Sequence, residues 1–79
     1  MKWQNYIVSN DNILLGKPAI KGTRIAVEFI IDRLADGWTE EDILTNYPNL
    51  TRKDLLAVFA YLSDSIKDGL LLSYPPKSA

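Results

Sequence analysis

The chain has no cysteine and no histidine. Disulfide staples, thiolate metal sites and imidazole acid–base chemistry are therefore excluded. It has no apolar run long enough to span a bilayer, and its start, MKWQNYIVSN, lacks a signal peptide's hydrophobic region. A cytoplasmic protein without membrane association is the expectation. Internal repeats, low-complexity tracts, a P-loop lysine pattern and a catalytic serine motif are also missing. The remaining side chains assemble no titratable pocket, so the reading is not an enzyme, with no metal and no cofactor. What is there is a chain of 79 residues with ordinary hydrophobic content, 47%. That makes one domain near the lower end of what holds a hydrophobic core. Without disulfides or metal, oligomerisation is the expected staple, and a homodimer its simplest form.

Strong charge of one sign is lacking too, since the net charge is only −1. A uniformly basic nucleic-acid binder is excluded. The charge is segregated, however. Residues 1–25 hold four Lys/Arg against one Asp, residues 26–50 one Arg against six acids, and residues 51–79 four bases against three acids. A basic N-terminal face is compatible with this pattern, and so is an ordinary solvated surface.

The first twenty-five residues read as an extended or β arm. YIVS and ILL are short apolar runs separated by the turn-prone NDN, and Pro18 and Gly22 punctuate the stretch GKPAIKGTRI. A small hairpin or two short strands around Lys21-Gly22 is predicted, with Gly22 at positive φ. From Ala26 the period changes. Val27, Ile30, Ile31 and Leu34 form one helical stripe, which Gly37 ends and onto which Trp38 folds back. Thr39-x-x-Asp42 and Thr51-x-x-Asp54 are two capping-box signals, twelve residues apart, with Tyr47-Pro48 between them. The second helix carries Ile43 and Leu44 inward. The third is expected to bury Leu55, Phe59 and Leu62, with Leu56 and Val58 flanking, and to run to about Asp64 or on to Gly69. The fold class is thus mainly α: a helix-turn-helix-like bundle of three helices over residues 26–66, behind a short β arm, with 67–79 as a C-terminal arm.

Two helices joined by the four residues YPNL suit a helix-turn-helix, whose second helix would offer Thr51, Arg52 and Lys53 to DNA. Any three-helix bundle shows such spacing, and Asp54 with the acids of the second helix opposes phosphate. Spacing alone favours a structural bundle. Lys17, Lys21 and Arg24 form a basic run able to assist on phosphates; equally, Arg24 pairs with Glu28 and the lysines are solvated. Glu40, Glu41 and Asp42 are explained by capping and the helix dipole. Trp38, Tyr47, Phe59 and Tyr61 suit core and helix-end packing. Trp3, Tyr6 and Tyr74 lie in terminal arms, where exposed aromatics meet partners.

The order Gly16, Pro18, Ile20, Gly22, Thr23, Arg24, Ile25, then Gly37, Thr39, Glu41, Ile43, then Tyr47, Pro48, Leu50, Thr51 resembles the bacterial and archaeal family catalogued as domain of unknown function 433. The match covers roughly residues 14–63; Ala26 departs from it, since proline is frequent there. The resemblance implies a helix-turn-helix-like fold and the antitoxin of a type II toxin–antitoxin pair. The toxin in such pairs is often a PIN-like nuclease, which the antitoxin binds and silences, and the pair commonly represses its own operon. The resulting expectation is a homodimeric antitoxin-like protein. Thr51, Arg52 and Lys53 would contact operator DNA with Lys17, Lys21 and Arg24 assisting, and Leu70, Leu71, Leu72 and Tyr74 would hold the toxin. The alternative is a protein-interaction module that never touches DNA.

Overall fold

The computed structural model describes residues 1–69. A 3₁₀ turn, Trp3–Asn5, leads into β1 (Ile7–Val8), which pairs antiparallel with β2 (Ala19–Ile20) in the register Ile7 to Ile20 and Val8 to Ala19. Helices α1 (Val27–Ala35), α2 (Glu40–Asn46) and α3 (Arg52–Lys67) follow. The protein is mainly α with a short N-terminal β arm, as the periodicity requires.

The arm differs from expectation in one respect. β1 and β2 are joined by a ten-residue excursion, residues 9–18, and the ILL run is a turn rather than a strand. The Lys21-Gly22 turn does exist, but it links β2 to α1. Gly22 sits at φ +81°, the Thr23 hydroxyl donates to the Ile20 carbonyl at 2.8 Å, and the Ile25 amide donates back to that hydroxyl at 3.0 Å. The Val27 amide then donates to the Pro18 carbonyl at 2.9 Å. The motif from Pro18 to Ile25 is therefore a local device that reverses the chain and starts α1.

Each helix boundary has a local cause. α1 ends in a Schellman arrangement: Gly37 is at φ +97°, its amide donates to the Leu34 carbonyl at 3.0 Å, and the Trp38 amide donates to Arg33 at 3.0 Å. Thr39 and Asp42 exchange hydrogen bonds of 2.9 and 3.0 Å at the start of α2. Thr51 and Asp54 do the same at α3, at 2.9 and 3.2 Å. Both predicted capping boxes are present, each satisfying two otherwise orphaned amides.

The core joins Ile7 and Ile20 of the arm to Val27 and Ile30 of α1, Ile43 of α2, Leu50, and Leu55, Ala57 and Val58 of α3. Burying each large aliphatic side chain stabilises the fold by about 1.5–3 kcal/mol. The arm is thus part of the core, which explains how strands of two residues persist. Phe59 is not in it. The inward stripe of α3 is Leu55, Val58 and Leu62, and Phe59 falls beyond its edge, 44% exposed. Trp3 and Tyr6, expected to be free for a partner, pack on this core instead.

Candidate functional site

An open cleft of about 330 Å³ lies where the arm meets α1 and the end of α2. Leu14, Arg24, Ile25, Ala26, Phe29 and Tyr47 line it, and its walls are almost wholly apolar. Arg24 and Ile25 leave the Gly22-Thr23 turn, Phe29 stands on the first turn of α1, and Tyr47 caps α2. Tyr47 is held edge-on to Phe29 with ring centroids 5.3 Å apart, and stacks on Trp38 at 6.2 Å. The Arg33 guanidinium lies over both neighbours, 4.9 Å from the Phe29 centroid and 5.7 Å from that of Trp38, and its Nη2 meets Asp36 at 3.0 Å. This aromatic and cation–π cluster stiffens the cleft from behind.

The rim is strained. Leu14 and Leu15 have φ of +53° and +57°, and Gly16 continues at +83°. Three consecutive left-handed residues make one reversed turn, closed by the Gly16 amide on Ile13 (3.0 Å) and the Lys17 amide on Leu14 (3.1 Å). The Ser9 hydroxyl donates to the Gly16 carbonyl beneath it. Glycine adopts this conformation freely, whereas each leucine costs about 1–2 kcal/mol there. Leu15 gains no burial in exchange, being 92% exposed. An apolar side chain is thus held outward at a conformational cost, next in sequence to the cleft residue Leu14.

The residues predicted to contact DNA are distributed otherwise. The Thr51 hydroxyl accepts from the Asp54 amide, and Arg52 pairs with Glu40 across the α2–α3 junction at 3.0 Å. Lys17, not Arg24, takes Glu28, at 2.8 Å. The hydrogen bond and charge of that carboxylate raise the Lys17 ammonium above its ordinary 10.5. Lys21, Arg24 and Lys53 are exposed and form no ion pair among the described residues. No described contact joins the six into one patch. The two ion pairs are solvent-exposed and screened by water and salt, so phosphate can compete for Lys17 and Arg52. The predicted partner contacts Leu70, Leu71, Leu72 and Tyr74 lie outside the described residues.

Sequence reasoning placed Tyr47 in core and helix-end packing, assigned Phe29 no role, and missed the cleft between them. Its only signal was Gly16 after two leucines, since nothing in a leucine's chemistry announces positive φ. Among the described residues no three His, Cys, Asp or Glu side chains group to hold a metal, and no helix is long and apolar enough to cross a membrane.

A family model described as protein of unknown function (DUF433) matches residues 7–62. The crystal structure of a DUF433 member protein from Anabaena variabilis superposes with a TM-score of 0.75 at 31% sequence identity, over 82% of this chain and 64% of that one. The chain therefore spans just under two thirds of that protein's length. None of the curated proteins compared matches it.

Proposed function

This chain belongs to the DUF433 family, and we propose that it is a cytoplasmic, homodimeric antitoxin-like protein that captures and silences a PIN-like nuclease. The cleft carries this reading. Residues of the family-like motif, Arg24, Ile25 and Tyr47, converge on an apolar concavity beside a strained, outward-held leucine. Such a surface suits protein capture more than chemistry, and the chain acts by stoichiometric binding. Leu15 enters the nuclease as an apolar anchor while the cleft receives a side chain in return. The apolar Leu70, Leu71, Leu72 and Tyr74 add a second contact. Operator DNA is a second ligand of the same protein. It is favoured by Lys53 on the first turn of α3, exposed and without an ion pair among the described residues.

Inhibition of a PIN-like nuclease encoded beside this chain tests the reading. Leu15→Asn keeps the left-handed turn, which asparagine tolerates, and removes the anchor. It should weaken inhibition about ten- to a hundredfold, the equivalent of burying one leucine. Inhibition equal to the unsubstituted protein's would remove the cleft from the mechanism. For DNA, the Lys53→Ala variant should bind its upstream DNA with a log affinity–log salt slope smaller by about one.

A further inference from the structure

Helix α3 carries two apolar stripes at the same spacing. The first, Leu55, Val58, Leu62 and Ser65, faces the core. The second is displaced by one residue, about 100° around the helix. It comprises Leu56, Phe59, Ser63 and Ile66, at intervals of three, four and three residues. Leu56, Phe59 and Ile66 are 51%, 44% and 62% exposed, and Ser63 is exposed between them. That spacing is the seam of a helix packed against another helix. A helix entering a DNA groove would not need it.

We infer that this second stripe is the interface with a second copy of the chain, the two α3 helices packing antiparallel about a two-fold axis near Tyr61. The inference rests on the homodimeric part of the reading above and not on nuclease capture. Two-fold symmetry requires a self-complementary surface, and the residue sizes supply one in a single register. Leu56 meets Ile66 of the second copy, and Phe59, the largest residue of the seam, meets Ser63, the smallest. A parallel pairing sets Phe59 on Phe59 and Ser63 on Ser63, a bulge beside a gap. Ala60, small and next to the axis, lets the helices approach to the 8–10 Å of ordinary packing, in about the middle of the seam.

The same register places Lys53 beside Lys67 of the second copy, once on each side of the axis. Both are exposed and without ion pairs among the described residues. Their repulsion is mild and screened by salt, so dimerisation strengthens as salt rises. Binding to phosphate runs the other way.

Sedimentation equilibrium of the full chain, from micromolar to submillimolar concentration, tests this. The expected result is a dimer whose dissociation constant rises about a hundredfold or more in Phe59→Lys, which buries a charge against Ser63. Far-UV circular dichroism of Phe59→Lys should match the parent, because Phe59 lies outside the core. Lys53→Glu and Lys67→Glu should each tighten the dimer about three- to tenfold, creating two exposed opposite-charge pairs. The double variant should return towards the parent. These two exposed positions decide the matter even if Phe59→Lys fails to fold. A monomer at every concentration overturns the inference and the homodimer with it. A dimer indifferent to all these substitutions overturns the interface alone. A monomer whose nuclease binding requires Phe59 overturns it in favour of another protein as occupant.

Discussion

Replacing Leu15 by glycine should make the protein more stable and less active at once. Leu15 sits at φ +57°, where an L-residue costs about 1–2 kcal/mol that glycine does not incur. Against this stands the larger backbone entropy that glycine loses on folding, about 0.5–1 kcal/mol. Lost burial adds no more than a few tenths of a kcal/mol, roughly, since Leu15 is 92% exposed. The balance favours Leu15→Gly by about 0.5–1 kcal/mol. For a domain of this size that moves the melting temperature up by about 2–8 °C. The assay is thermal unfolding by circular dichroism at matched protein concentration, because the melting of any oligomer depends on concentration. Leu14→Gly is the internal control. Leu14 is strained to the same extent but half-buried at the cleft, so its lost packing offsets the relief and the melting temperature should barely move. A fall in melting temperature for Leu15→Gly would refute the reasoning, because it would mean that Leu15 makes contacts its exposure does not reveal. On the proposed function, nuclease inhibition should by contrast fall in Leu15→Gly, which separates the turn's effect on folding from the capture proposed for it.

The capping boxes and the Lys17 pair give two further predictions. Thr39→Ala and Thr51→Ala should each destabilise the protein by about 1 kcal/mol, read from urea unfolding. Their sum should be nearly additive if each cap acts only on its own helix. The Lys17 ammonium is raised above 10.5 by Glu28, so the pair's small contribution is complete below that pH and is lost as pH rises through the folded value. The stability difference between the parent and Glu28→Gln should therefore be flat from pH 7 to about 9 and vanish in stronger alkali; a difference that grew with pH would point to another origin.

The helices were legible because their ends are encoded locally. Thr39, Thr51 and Gly37 each act on amides or carbonyls within a turn of themselves, so spacing along the chain suffices to place them. The strand pairing was less legible. Ile7 meets Ile20 across a ten-residue excursion, and what selects that partner is burial against α1 and α3, a non-local cause. Phe59 shows the same limit within one helix. Two apolar stripes one residue apart are indistinguishable by period, and only the position of the neighbouring elements decides which is covered. The cleft was hidden for a different reason: its rim depends on a backbone conformation that leucine adopts only when its surroundings impose it.

Trp3 joins the two ends of the described chain. Its indole nitrogen donates to Asp64 at 2.7 Å and its ring stands edge-on to Tyr61 at 4.9 Å, across 61 positions of sequence. Most other packing among the described residues is between successive elements, so this clasp closes the longest loop among them and carries the greatest contact-order penalty. Loop-closure cost therefore predicts an order of folding in which the helices stack before Trp3 docks on α3, to be checked by the folding and unfolding rates of Trp3→Ala. During synthesis, Trp3 leaves the ribosome early and waits for Asp64. The proximity of Trp3 to the last turns of α3 also means that the first residues could be reattached behind that helix through a short linker. New termini opened in the excursion between β1 and β2 would then leave every helix and its caps intact.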